Sequence, residues 1–448
     1  MKNYTGLQHK KVLVLGLAKS GVAAAELLHD LGAFVTVNDA KPFDENSEAQ
    51  SLLQKGITVI CGRHPEDLLD EGFELIVKNP GIPYHNFIIQ DAINRNIPVW
   101  TEIELAYLVS EAPMIGITGS NGKTTTTTLI YEMLQKAGEK PLVAGNIGTV
   151  ACGVAREATS DHFIVTELSS FQLMGVETFK PKIAVLTNLY EAHLDYHGSF
   201  EAYADAKFAV TAQQDSSDYF IYNADQPTVA AYAEKTKAQT VPFTVNGRTD
   251  EGISADQQYI YWHGQAILER AAIKLPGQHN LENILAAVAT CLLLGSEVEP
   301  LNEVLHHFGG VKHRTQFVKE WQGIRFYNDS KATNSLATKS ALEAFAAPTI
   351  LLAGGLERNH SLEELTSSLT NVRMAILFGE TKRRFAEFFE AHHIPTQLVE
   401  NVEQAVPLAI KQATAGDVVL LSPACASWDQ YESFEIRGDA FINAINEL

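Results

Sequence analysis

The segment best suited to chemistry in this 448-residue chain is Gly116-Ile-Thr-Gly-Ser-Asn-Gly-Lys-Thr-Thr125. It follows an apolar strand pattern and opens a long helical stretch, which is the context a phosphate cradle needs. Backbone N–H groups of Gly119, Ser120, Asn121, Gly122 and the helix start would point at an anion. Lys123 would pair with phosphate oxygens, and the Thr124 hydroxyl, beside Thr125, could bind Mg²⁺. The spacing departs from G-x-x-x-x-G-K-[ST], because the first glycine of that pattern falls on Ile117. A glycine-rich strand–helix turn with a surface lysine is the bland alternative. The combination of two glycines, lysine and threonine in this setting favours a nucleoside triphosphate.

Further candidates lie downstream. Glu167 closes the apolar run Phe163-Ile-Val-Thr166, where a carboxylate could hold Mg²⁺ or serve as an ordinary strand-end acid. His193, Asp195 and His197 could be read as a zinc site. Beside a nucleotide loop, however, oxygen donors and phosphates favour Mg²⁺. Asn280 and Asn283, three apart at a helix start, share one face and could simply cap it. His313-Arg314 and Asp329-Ser-Lys331 offer cationic and polar groups, with interdomain salt bridges as the plainer reading. If residues 199–211 form a helix, Lys207 shares a stripe with Phe200, Ala204, Phe208 and Thr211. The pattern alone favours a lysine that snorkels to the edge, because a buried unpaired ammonium is costly. Gly16-Leu-Ala-Lys-Ser-Gly21 keeps the outer glycines of a dinucleotide fingerprint but puts Ala18 in the middle. Asp39 ends the next strand, where ribose contacts usually sit. Alone, this is weak evidence for a dinucleotide.

The elements that must position these groups fall into three α/β blocks. Strand patterns at Lys11–Gly16, Phe34–Asp39, Ile57–Ile60 and Leu75–Val77 alternate with helices and open a doubly wound parallel sheet. A second block begins after Pro113, with strands at Met114–Thr118, Phe163–Thr166 and Ile183–Thr187. Within it, residues 240–275 carry short alternating runs such as Gln258-Tyr-Ile-Tyr-Trp262 that predict a β-hairpin excursion. A third block follows Gly309-Gly310, with strands at Ile324–Tyr327, Thr349–Ala353, Met374–Phe378 and Val418–Leu421. The expected fold class is α/β with three domains: Rossmann-like over 1–110, P-loop ATPase-like over 111–311, and Rossmann-like over 312–448.

Composition narrows the function classes. A net charge of −20 opposes non-specific binding to nucleic acid or anionic membrane, so phosphate ligands need local cationic pockets. Screening over about 8 Å at physiological salt makes such pockets workable. Four scattered cysteines without a C-x-x-C pair fit a reducing compartment. No apolar run reaches the ~18 residues of a membrane span, and the N-terminus has no signal-peptide pattern. The expectation is a soluble, cytoplasmic protein with no membrane insertion.

Thr118-Gly-Ser-Asn-Gly-Lys-Thr-Thr125 resembles the ATP loop of the Mur ligases and their folylpolyglutamate synthase relatives. Asn188-Leu-Tyr-Glu-Ala-His-Leu-Asp195 and Gly277-Gln-His-Asn-Leu-Glu-Asn283 are similar to further motifs of that family. So is Leu421-Ser-Pro-Ala-Cys-Ala-Ser-Trp-Asp-Gln-Tyr-Glu-Ser-Phe434, leading to Arg437-Gly438, which matches the D-glutamate-adding branch. The Asp-Asn-Pro-Arg tetrad typical of the diamino-acid-adding branch is absent.

The matches run along essentially the whole chain. They imply an ATP-dependent, Mg²⁺-assisted monomer that joins D-glutamate to UDP-N-acetylmuramoyl-L-alanine through an acyl phosphate. The resemblance assigns Asn280, Asn283, Arg314, Asp329 and Lys331 to ATP or the acyl phosphate. It assigns Thr124, Glu167, His193 and an N-carbamylated Lys207 to metal. The UDP-sugar falls to Ala18, Lys19, Asp39, Lys41 and Asn146, and D-glutamate to Thr333, Arg358, Ser427 and Phe434. Lys123, His193 and Lys207 are the implied catalytic residues. Arg358 stands where some members have lysine, and Gln316 replaces a common glutamate. A polyglutamylating ligase, an NAD-dependent oxidoreductase and a nucleotide sensor are the rival readings.

Overall fold

The computed structural model describes residues 1–358 and 361–448. Compactness divides it into two units. One holds residues 1–271 with 282–304, and the other holds 272–281 with 305–448.

The first unit contains two sheets. Strands β1 (Lys11–Leu15), β2 (Phe34–Asp39), β3 (Thr58–Cys61), β4 (Leu75–Lys78) and β5 (Val99–Trp100) form an all-parallel sheet in the order β3-β2-β1-β4-β5. The order reverses at β1, so a crevice opens beyond the ends of β1 and β4, where Gly16–Ala18 and Asn79–Gly81 lie. Burial of both faces explains why these strands read as unbroken apolar runs.

The second sheet has nine strands: β6 (Met114–Thr118), β7 (Lys140–Gly145), β8 (His162–Glu167), β9 (Ile183–Leu186), β10 (Tyr219–Asn223), β11 (Gln239–Thr244), β12 (Ile253–Ala255), β13 (Tyr259–Trp262) and β14 (Gln265–Glu269). Their order is β14-β13-β12-β11-β10-β9-β6-β8-β7. The predicted excursion is real for β12, β13 and β14, which pair antiparallel. Residues 240–244 are a correction to it, because β11 pairs parallel with both β10 and β12 and so belongs to the main sheet. Again the order reverses at the block's first strand, β6, which is flanked by β8 and β9. The loop carrying Lys123 leaves the carboxyl end of β6.

The second unit carries β15 (Gln316–Trp321), β16 (Ile324–Asn328), β17 (Thr349–Gly354), β18 (Val372–Phe378), β19 (Thr396–Leu398) and β20 (Val418–Leu421), in the order β15-β16-β20-β17-β18-β19. Only β15 is antiparallel. An apolar cluster covers each face. The carboxyl ends of β16, β17 and β20 are neighbours, which gathers Asp329, Gly354-Gly355 and Ser422–Ser427 at one edge.

Two buried acids anchor the helix Glu102–Val109. Glu104 accepts the backbone N–H groups of Glu177, Thr178 and Phe179 at 2.9, 2.8 and 3.1 Å. Glu102 accepts that of Cys152 at 3.0 Å, yet complete burial pushes its carboxyl up to about 7 from an ordinary 4.5. A carboxyl raised in the fold stabilises it fully below its unfolded pKa, and that contribution is lost as pH rises through about 7. Glu102→Gln, which imitates the protonated acid, is expected to match wild type near pH 4.5. It should be more stable above pH 7, by a few kcal/mol at most. Urea midpoints across that range test this, and a constant difference between the two proteins would refute it.

Candidate active site

The phosphate loop is built by opposing demands on its backbone. At the head of the helix Lys123–Lys136, Gly122 has φ +81°, and a Cβ there would come within 2.1 Å of Asn283 Oδ1. Only glycine fits both the left-handed backbone and the close neighbour. Asn188 clamps the other side: its carbonyl accepts from Ser120 N at 2.9 Å and its Oδ1 from Asn121 N at 2.8 Å. Thr187 Oγ1 donates to the Asn121 carbonyl at 2.6 Å. The first N–H groups of an α-helix have no carbonyl partner within the helix, and the positive end of the helix dipole adds to their pull on an anion.

Two lysines converge here. Lys123 Nζ donates to the carbonyls of Gly119 and Ser120 at 2.8 and 3.0 Å, and Lys207 Nζ donates to Gly119 at 2.8 Å. Lys207 lies on the helix Phe200–Phe208 as expected, but it does not snorkel: its residue is 2% exposed. This is a correction with a clear cause, since the Gly119 carbonyl and the Tyr203 ring 4.7 Å away supply polar partners inside. Burial, and then the charge on Lys123, hold the Lys207 amine well below the usual lysine value.

Glu167, at the end of β8, joins two of the predicted groups. Its Oε2 accepts from the Thr124 hydroxyl and its Oε1 from Asn146 Nδ2, each at 2.8 Å. Asn146 thus meets the carboxylate expected to hold metal. His193 adopts a left-handed backbone at the start of the short helix Leu194–His197. Its ring lies 4.9 Å from Phe171, and desolvation followed by the Lys207 charge keeps it below the ordinary imidazole range. Among the described residues no three His, Cys, Asp or Glu side chains gather to hold a metal. The donors present, a carboxylate and a hydroxyl at a phosphate loop, suit a hard cation that also takes phosphate and water as ligands. Asn283 is within 3.4 Å of Thr126 Oγ1, against the loop, whereas Asn280 donates to the Pro276 carbonyl at 2.6 Å.

At the first sheet, Asp39 organises the turn after β1. Its carboxylate accepts from Leu17 N at 2.7 Å and Lys41 N at 2.8 Å, leaving Ala18, Lys19 and Lys41 exposed at the crevice.

In the second unit, Asp329 is fully enclosed, accepting from Thr315 N at 3.0 Å and Ser422 Oγ at 2.8 Å. Burial raises its carboxyl to about 6. Arg314 Nε and Ser427 Oγ are buried and make no hydrogen bond among the described residues, so both have donor capacity for a ligand. Gln316 uses its side-chain carbonyl to accept from His313 N at 3.0 Å. Lys331 lies 5.4 Å from the Phe434 ring, and Arg358 lies 4.9 Å from the Trp428 ring. Thr333 is exposed just before the helix Ser335–Glu343.

Sequence reasoning gave Arg437 no role. It is completely buried and donates to Ser330 Oγ, the Ser330 carbonyl and the Cys425 carbonyl at 3.0, 2.8 and 2.9 Å. It thereby ties the Asp329–Lys331 loop to the segment that leads into Ser427. An arginine inside an otherwise apolar helix pattern was the available signal.

Comparison with known proteins follows the same division. Residues 10–101 match the MurD-like N-terminal domain of Mur ligases, 117–291 the Mur ligase middle domain, and 313–425 the Mur ligase glutamate ligase domain. A UDP-N-acetylmuramoylalanine–D-glutamate ligase of Listeria monocytogenes is 56% identical, with 100% of this chain and 99% of that protein covered. Its namesake in Geobacillus kaustophilus is also 56% identical, with all of both chains covered. Among solved structures, a MurF ligase from Thermotoga maritima in complex with ADP has the same fold (16% identity, TM-score 0.57, covering 99% of this chain and 95% of that one).

Proposed function

Because the chain belongs to the Mur ligase family, we propose that it is an ATP-dependent ligase adding D-glutamate to UDP-N-acetylmuramoyl-L-alanine in peptidoglycan precursor synthesis. The observation that carries the reading is the convergence of Lys123, Lys207 and the Thr124–Glu167 pair on one phosphate loop. The residues divide as three domains, 1–110 for the UDP-sugar, 111–311 for ATP and 312–448 for the amino acid. One chain supplies every group, so a monomer suffices. No helix among the described residues is long and apolar enough to cross a membrane, and both substrates are charged and water-soluble, which fits a cytoplasmic enzyme.

The chemistry asks mainly for positioning and charge neutralisation. The alanyl carboxylate attacks the γ-phosphate of ATP and ADP departs, leaving an acyl phosphate. The amine of D-glutamate then adds to that carbonyl, and collapse of the tetrahedral species expels inorganic phosphate. Lys123 and the N–H groups after Gly122 bind the phosphates and neutralise charge that spreads over their oxygens. Thr124 and Glu167 would hold a magnesium ion, completed by His193 and a carbamate on Lys207, and the ion would supply further neutralisation of phosphate charge. Lys207 suits carbamylation because its depressed amine is poised to add to CO₂ and release a proton. Asn283 and Asn280 contact the nucleoside, while Arg314, Asp329 and Lys331 contact its phosphates or the acyl phosphate. Ala18, Lys19, Asp39, Lys41 and Asn146 contact the UDP-sugar. No side-chain nucleophile is needed.

D-Glutamate is held by Thr333, Arg358, Ser427 and Phe434. The Ser427 hydroxyl, which has no partner among the described residues, and the Arg358 guanidinium offer donors for its two carboxylates. Ser427→Ala and Arg358→Ala are each expected to raise the KM for D-glutamate roughly tenfold or more, in line with ~1.5–3 kcal/mol for a hydrogen bond to a charged group. The KM for ATP should change little. An unmoved D-glutamate KM in both variants would overturn this assignment. Phosphate release that requires both D-glutamate and the UDP-sugar tests the activity itself.

A further inference from the structure

We propose that Trp428 is a positioning residue for Arg358, holding its guanidinium where it meets a carboxylate of the acceptor amino acid. The inference deepens the reading above and rests on it. The Arg358 guanidinium carbon lies 4.9 Å from the centre of the Trp428 ring. The indole is 65% exposed, so it is not placed there by core packing. Its surroundings explain how the pair is brought together. Leu356 N donates to the Ala426 carbonyl at 2.9 Å, which sets the exit of β17 against the segment after β20. Gly355, at φ +148°, allows this approach, since a Cβ there would stand 2.3 Å from the Ala426 oxygen.

Arg358 and Trp428 each follow that bonded pair by two residues, one on either segment. The intervening Glu357 is fixed as well, its carboxylate gripped by Arg384 Nε and Nη2 at 2.8 and 2.9 Å. Backbone and neighbour are therefore anchored, while among the described residues Arg358 itself makes no ion pair. Among the described residues, the indole face is the partner recorded for its long side chain. Ser427, whose buried hydroxyl has no partner among the described residues, precedes Trp428 directly, so the stack lies beside the acceptor-binding donor. A planar guanidinium stacks on an aromatic face and still presents its edge N–H groups to a carboxylate, whereas an ammonium does this less well. The pairing thus gives a physical reason for arginine at 358, where lysine serves in some family members.

Steady-state kinetics on Trp428→Ala, Trp428→Phe, Arg358→Ala and the Arg358→Ala/Trp428→Ala double variant test the proposal. Trp428→Ala should raise the D-glutamate KM about two- to fivefold, the size of an exposed cation–π contact, with kcat and the ATP KM nearly unchanged. Trp428→Phe should restore most of the loss. In the Arg358→Ala background, removing Trp428 should add little, as expected when one residue acts through the other. A wild-type KM in Trp428→Ala, or an equal effect of Trp428→Ala with and without Arg358, would overturn the positioning role. If Arg358→Ala raises the KM while Trp428→Ala does not, positioning falls and the acceptor-site reading stands. If neither variant moves it, both fall.

Discussion

Lys123→Ala is expected to leave a folded protein with ligase activity reduced by ~10³-fold or more. Lys123 is the cation at the head of the loop helix, 2.8 and 3.0 Å from two carbonyls of its own loop. The role proposed for it is that of a point charge on phosphate oxygens, and removing one such preorganised group from phosphoryl or acyl transfer typically costs 10²–10⁵-fold. The fold does not depend on it: β6 and the helix Lys123–Lys136 are set by buried residues such as Ile115, Ile117, Leu129, Ile130 and Met133. Thermal melting near the wild-type midpoint, together with loss of ATP-dependent phosphate release, would bear this out. Turnover within about tenfold of wild type in a well-folded variant would contradict it.

Lys207→Met should be almost as damaging to activity and should not harm stability. Replacing a buried amine by an apolar side chain of similar volume removes a desolvation penalty, and such exchanges are often neutral or stabilising. Activity should nevertheless fall ~10²-fold or more, because no carbamate can form to accept the metal. In the wild type, exhaustive removal of CO₂ should lower the rate, and added bicarbonate should restore it. A carbon-13 carbamate resonance that appears with labelled bicarbonate and vanishes in Lys207→Met would give an independent readout. Full activity in Lys207→Met, or a rate indifferent to CO₂ and no carbamate resonance, would refute this role.

The loop around Lys123 was legible because its information is local: strand, turn, glycine spacing and helix start fall within about ten residues. Four of the five strands of the first block, β1 to β4, are equally plain as short apolar runs between turn residues, whereas β5 is only two residues long and leaves no pattern. The burial of Lys207 is not legible in its helix because it depends on Gly119, 88 residues away in sequence. From the helix stripe alone, a lysine on an apolar face has no visible partner. The Asn146–Glu167 bond depends on β7 lying beside β8, and β7 is hard to read because it starts Lys-Pro, and a proline weakens a strand pattern. β10, Tyr-Phe-Ile-Tyr-Asn, holds an apolar run too short for periodicity to tell strand from helix. β15 is a partly exposed edge strand with an irregular register, so it lacks clean alternation. Arg437 shows the same limit. Its carbonyl and hydroxyl partners come from segments that meet only once β16, β17 and β20 are neighbours.

The most direct test is phosphate release from ATP by the purified protein, measured across a panel of D- and L-amino acids with and without UDP-N-acetylmuramoyl-L-alanine. Turnover is expected only when ATP, the UDP-sugar and D-glutamate are all present, with an amide-linked product of matching stoichiometry. Equal turnover with L-glutamate, phosphate release independent of the UDP-sugar, or no turnover with the full set would contradict it.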